Sequence, residues 1–197
     1  MTERPMIFTG HSVRQILADL KTQTRRAVKR TKHFAERNVE PSDAYDALVA
    51  DVPCPYGKPG DRLWVKETWR PVERETDSVD GILYRADDAF IPIENSFEAA
   101  ERWVDAYDNG KYGTAWRSPL YMKRWMSRVV LEIASVRVER VQEISEDDAR
   151  AEGCPAHAHF ATLWDSINGK REGCAWEDDP WCWCLEFRRV APRRSAS

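Results

Sequence analysis

The chain opens with a short apolar run, Met6-Ile7-Phe8-Thr9, that reads as a strand. Ser12 and Gln15 then have the spacing of a capping box, and Val13, Ile16, Leu17 and Leu20 recur at helical period, which predicts a helix ending close to Lys21. Nothing from Thr24 to Lys29 continues that stripe, and the segment from Arg30 to Asp43 is dense in charge and reads as a loop. Lys21 and Thr24 therefore fall at a helix-to-strand junction, where backbone groups are left unpaired and a rigid neighbour can hold a side chain in place.

Turn formers crowd the segment from Pro53 to Asp61 and deliver the chain into Arg62–Trp69, which reads as one strand. Leu63, Val65, Glu67 and Trp69 share a face of that strand, and a carboxylate on an otherwise apolar face marks either a rim or a site. From about residue 70 to 119 the pattern is less regular. A short strand at Ile82-Leu83-Tyr84 and a helix with the stripe Phe97, Ala100, Trp103, Val104 and Tyr107 suggest an insertion on the same core. Further on, Val129, Leu131 and Ile133 alternate and Val136 and Val138 alternate in the opposite phase, which calls for a bend near Ala134-Ser135. Ser145 caps a short acidic helix that ends at Glu152 before Gly153. A second helix carries Phe160, Leu163, Trp164 and Ile167 and stops at Gly169. Trp181–Arg189 alternates like a closing strand, followed by a loose tail over about 191–197.

At 197 residues with 42% hydrophobic content, the chain has the size and apolar mass of a single domain spanning 1–197. A net charge of -3 gives no global preference for a polyanion, so any nucleic-acid contact must be local. Nine tryptophans are many for this length, enough to wall a core and to offer stacking surfaces besides. No stretch approaches the roughly 20 apolar residues that cross a bilayer, and the start of the chain is polar, so a cytoplasmic protein without membrane contact is expected. Five cysteines is an odd number, which favours free thiols over a disulfide framework.

Four segments, in order, carry a resemblance. Ile16-Leu17-Ala18-Asp19-Leu20-Lys21-Thr22-Gln23-Thr24-Arg25-Arg26 resembles the helix and GxKTxTxR opening of ASCH domains, with Leu20 departing from the basic or glycine residue usual there. Pro59–Val65 is similar to their GDxLxV strand, Ser145–Gly153 to their acidic helix, and Trp183–Phe187 to their closing strand. The resemblance implies an α+β fold built on a small PUA-like β-barrel flanked by helices. The stretch of about 70–119 has no counterpart in the shortest members, and the framework from Cys54 to Lys170 is more similar to the longer members of phages and prophages. The family includes N4-acetylcytidine amidohydrolases, whose working Lys, Thr and Glu are matched here by Lys21, Thr24 and Glu152. Those residue types suit amide hydrolysis: a threonine hydroxyl attacks only when a base takes its proton, a lysine near other cations can be that base, and a glutamate can protonate the leaving amine.

Around this core, Arg26, Glu67, Trp69, Trp116 and Trp125 are candidate substrate-side groups, the tryptophans as stacking walls for a base. Core packing for the tryptophans and a salt bridge for Glu67 are the alternatives. The expected substrate is a small acylated nucleoside, with no cofactor. Cys54, Cys154, His157, His159, Cys174, Cys182 and Cys184 are zinc-type residues, but their spacing does not fit the usual knuckle and no metal site is expected. The other function considered is a non-catalytic reader of RNA or of modified bases, since PUA-like folds serve both.

Overall fold

Two sheets and the helices beside them make the chain an α+β protein. The structure is a computed structural model that describes residues 1–28, 53–74, 79–108 and 115–191. The polar segment from Arg30 to Asp43 and all but the first residue of the expected tail lie outside the described residues.

The larger sheet is formed by β1 (Glu3–Ile7), β2 (Gln23–Ala27), β3 (Arg62–Lys66), β7 (Val130–Arg140) and β8 (Trp181–Val190), in the order β1-β3-β7-β8-β2. The smaller contains β4 (Trp69–Arg74), β5 (Val79–Tyr84) and β6 (Phe90–Pro92), in that order. Helix α1 covers Gly10–Leu17, α2 Phe97–Asp108, α3 Glu146–Ala151 and α4 His157–Asn168. None of these is long and apolar enough to cross a membrane. Among the described residues the five-stranded sheet is open, with β1 and β2 at its edges, and this corrects the expectation of a barrel. The composition of β1 accounts for its place: Glu3, Arg4 and Pro5 give an edge strand charge and a residue without an N–H, both of which oppose further pairing.

Central position is equally legible in β8. Cys182, Trp183, Cys184 and Leu185 are buried in succession, as a strand covered on both faces requires. It pairs antiparallel with β2, Gln23 opposite Glu186, Thr24 opposite Leu185, Arg25 opposite Cys184 and Arg26 opposite Trp183.

The chain divides into two compact units. One comprises Met1–Arg4, Ala18–Leu63 and Leu131–Val190, the other Pro5–Leu17, Trp64–Val130 and Ala191–Ser197. In the first, Ala27, Val141, Ile144, Ala149, Cys154, Phe160, Trp164 and Cys182 form a core cluster. In the second, Trp69, Ile82, Tyr84, Trp103, Ala106, Met122 and Met126 do so, pinned by Tyr84 Oη donating to Met126 O (2.6 Å) and Trp103 Nε1 donating to Gly81 O (3.2 Å).

Three local expectations are corrected. Thr9 rather than Ser12 caps α1, accepting a bond from Ser12 N at 3.2 Å, and the helix ends at Leu17 because Asp19 adopts the left-handed conformation (φ 56°) that closes helices. The strand expected over Arg62–Trp69 is two strands in different sheets: past Lys66 the Glu67 N–H turns to Met122 Sδ instead of a ladder carbonyl. In α2, Trp103 and Ala106 are buried and Tyr107 packs against the same cluster, while Phe97 is 74% exposed, so only part of the apolar stripe is covered.

Candidate active site

Lys21 follows the Asp19 turn and precedes β2, and its main chain is fixed through its neighbour. Thr22 N donates to Ala151 O and Thr22 O accepts from Phe187 N, both at 2.8 Å, so the segment is clamped between the end of α3 and β8. At that end of α3, Ser145 caps the helix by accepting from Asp148 N (3.0 Å), Glu152 is the C-cap residue, and Gly153 leaves with φ 81°, a conformation that glycine takes without strain. The clamp brings the two charged side chains together. Lys21 Nζ donates to Glu152 O at 2.7 Å and to Glu152 Oε2 at 2.5 Å, with the side chains only 3% and 4% exposed.

The other carboxylate oxygen, Glu152 Oε1, is buried and accepts no hydrogen bond among the described residues, although Arg25 Nη1 stands 3.7 Å away. A buried ion pair that retains an unused acceptor is poised to receive a donor from a bound molecule. Lys21 Nζ donates twice to Glu152, and among the described residues no hydrogen bond joins it to the Thr24 hydroxyl.

The pleat of β2 divides its side chains. Thr24 and Arg26 share the face of Leu185 and Trp183, whereas Gln23 and Arg25 share that of Glu186 and Cys184. Thr24 is buried at the second position of the strand. Burial lowers the pKa of Arg26, with Tyr56 and Glu152 acting against it, which places all three in one electrostatic neighbourhood. On the opposite face Arg25 is wholly enclosed. It donates to Gln23 Oε1, to Glu139 Oε1 and, at 3.1 Å, to Asp148 Oδ2. Gln23 Nε2 in turn donates to Asp148 Oδ1 at 2.9 Å, and Arg137 bonds Glu139 (2.9 Å), Asp148 (3.0 Å) and Glu186 (2.5 Å). Partial burial would raise the Asp148 carboxyl, but Gln23, Arg25 and Arg137 outweigh it and hold the group at about 2. For Arg25, burial acts downward, and the neighbouring Cys184, Glu139 and Glu152 together outweigh it.

Lys21 and Glu152 are thus in contact, Arg26 lies within the field of Glu152, and Thr24 stands on the same segment as Lys21. Of the two cations expected beside Lys21, Arg26 shares the face of Thr24 and Arg25 the opposite one, and Tyr56 was missed. The signal for Arg25 was present in the two-residue period of β2, which puts it beside Gln23 and opposite Thr24 once the strand is recognised.

Glu67, Trp69, Trp116 and Trp125 belong to the second unit. Glu67 is buried and paired side-on with Arg128 through Nε and Nη2, both contacts at 2.9 Å, while Arg128 also binds Asp87 at 2.8 and 2.9 Å and lies 4.2 Å over the Tyr84 ring. Trp69 is core, Trp125 is partly buried against the same cluster, and Trp116 carries the guanidiniums of Arg70 at 4.7 Å and Arg85 at 5.9 Å from its ring centroid. All five cysteines are free thiols, and burial pushes Cys184 up to about 12. Among the described residues no group of three or more His, Cys, Asp or Glu side chains is placed to hold a metal ion.

No family model matches the chain, and no curated relative matches it. Solved structures similar to it include a protein of Enterococcus faecalis V583 described under family-model DUF984, at 9% identity, covering 100% of this chain and 86% of that one with a TM-score of 0.46. Another is an ASCH domain from Lactobacillus crispatus JV V101, at 12% identity, covering 97% of this chain and 81% of that one with a TM-score of 0.46. The second belongs to the family that the sequence motifs resemble. No residue role is carried across either likeness.

Proposed function

We propose that this chain is an amidohydrolase that removes the acyl group from N4-acylated cytidine-type nucleosides, using Thr24, Lys21 and Glu152. The observation that carries the proposal is the buried Lys21–Glu152 pair with its unused carboxylate oxygen, set on the segment that holds Thr24. The substrate class comes from the resemblance of four ordered segments to the ASCH amidohydrolases.

An ammonium cannot act as a base, so the pair must first redistribute its proton. A shift along the single Lys21–Glu152 hydrogen bond gives a neutral amine and a carboxylic acid, the acid and base that the reaction needs. The amine takes the Thr24 hydroxyl proton as the oxygen attacks the acyl carbon. Glu152 gives its proton to N4 as the C–N bond breaks, leaving an acyl-threonine and the free cytosine amine. Water then attacks the ester, its proton returning to the pair, and the carboxylic acid leaves as Thr24 is restored. The bookkeeping closes with these side chains and water alone. Arg26, on the face of Thr24, is assigned to the substrate carbonyl oxygens, and Glu152 Oε1 to the exocyclic N–H.

Incubation with N4-acetylcytidine, followed through the ultraviolet change that accompanies release of cytidine, tests the proposal. Turnover is expected; none across a series of acyl groups would sink it. A second reading, a base-reading RNA binder, draws on the Arg70–Trp116–Arg85 stack, since a cation-flanked indole suits a stacked base and its phosphates. It predicts salt-sensitive oligonucleotide binding that weakens in Trp116→Ala.

A further inference from the structure

The side chain of Arg25 is fully buried, yet its hydrogen bonds go elsewhere than to the site: to Gln23 on its own strand, Glu139 on β7 and Asp148 on α3. The Phe160 ring of α4 lies 5.8 Å from its guanidinium carbon. Four elements thus fix the guanidinium, and in that fixed position Nη1 stands 3.7 Å from Glu152 Oε1 without bonding it. An immobile cation is therefore aimed at the oxygen of Glu152 that Lys21 leaves unused. We propose that Arg25 is a positioning residue of the Lys21–Glu152 pair, holding the Glu152 carboxylate in place and opposing transfer of the Lys21 proton onto it.

The surroundings support a specific role for this charge. Among the described residues, Lys21, Arg25 and Arg26 are cations whose fields reach Glu152. The thiols that share its field, Cys154, Cys182 and Cys184, are all pushed up by burial and stay uncharged near neutrality. Glu139 faces the same guanidinium from β7 and competes with Glu152 for it. Removing Arg25 and removing the Glu139 charge must therefore act on Glu152 in opposite directions, which a merely structural arginine would not produce.

The rate arm of the test rests on the amidohydrolase reading; the spectroscopic arm does not. In the whole chain, the Glu152 carboxyl carbon is followed by 13C NMR against pH in wild type, Arg25→Gln, Arg25→Lys and Glu139→Gln. The titration midpoint is expected to move up by about one to three pH units in Arg25→Gln, as for a carboxylate that loses a neighbouring arginine. It should return close to wild type in Arg25→Lys and move down in Glu139→Gln. The acid limb of the N4-acetylcytidine pH–rate profile should follow the same order. A midpoint that stays in place in Arg25→Gln would overturn the proposal. Should that variant not fold, a Glu139→Gln midpoint that stays or rises overturns it instead. A wild type that deacylates nothing refutes the amidohydrolase reading and leaves the NMR midpoints to decide on Arg25.

Discussion

Lys21→Met removes one charge of the buried pair while keeping most of the side-chain volume. Glu152 then loses both a 2.5 Å ionic hydrogen bond to its carboxylate and a 2.7 Å bond to its carbonyl, at a site where the side chains are 3% and 4% exposed. Stranding one member of such a pair costs about 3–5 kcal/mol. Arg25 at 3.7 Å offsets part of this, which brings the expected loss to about 2–4 kcal/mol. In a chain of this length that corresponds to a fall in Tm of roughly 5–15 °C. Lys21→Met/Glu152→Leu removes both charges and should be less destabilised than the sum of its single variants by about 1.5 kcal/mol or more. Urea unfolding followed by near-UV and far-UV circular dichroism on the four proteins of the cycle measures both quantities. Additive variants, or a Lys21→Met loss below about 0.5 kcal/mol, would show that the pair is solvated, and the argument from burial would fall.

Acid should loosen the network on the other face of β2. Asp148 is held at about 2 against an ordinary 3.8, so its contribution is complete above about pH 4 and is lost as pH falls through 2. It amounts to about 1–2 kcal/mol after discounting for partial exposure. Asp148→Asn should show a flatter loss of unfolding free energy between those pH values, and a loss as steep as wild type would contradict the assignment. Gly81→Ala tests the small sheet: a Cβ there would meet the Phe90 ring at 2.5 Å and Ile91 O at 2.6 Å. Because one of those atoms is backbone, β6 must shift, at a cost of about 1–3 kcal/mol measured by thermal unfolding. A neutral Gly81→Ala would show that this edge yields freely.

Much of the site was legible because it lies in short-range patterns. Ser145, the acidic first turn and Gly153 specify where α3 starts and stops, and that alone places Glu152 at its end. The spacing of Lys21 and Thr24 about a helix-to-strand junction was readable in the same way. Long-range pairing was less so. The sequence does not show that Thr22 bonds both Ala151 and Phe187, and it is this clamp that turns Lys21 toward Glu152. Nor does alternation along Arg62–Trp69 reveal that the strand breaks: Leu63, Val65, Glu67 and Trp69 are all buried as the pattern requires, but the first two lie in one sheet, Trp69 in another and Glu67 between them. Glu67 shows the limit of residue type as a guide. A carboxylate on an apolar face reads as a rim or a site, with a salt bridge as the alternative, and a single arginine, Arg128, meets both of its oxygens.

The central claim, that Thr24 is the attacking group, is tested most directly by comparing N4-acetylcytidine turnover in wild type, Thr24→Ala and Cys154→Ser under identical conditions. Cys154 is the fitting control because its buried thiol shares the field of Lys21 and Glu152 and is the nearest alternative nucleophile in kind. The account predicts that Thr24→Ala binds nucleoside but loses turnover by about 10³-fold or more, while Cys154→Ser stays within a few-fold of wild type. Near-normal turnover by Thr24→Ala together with loss in Cys154→Ser would contradict it and assign the attack to the thiol.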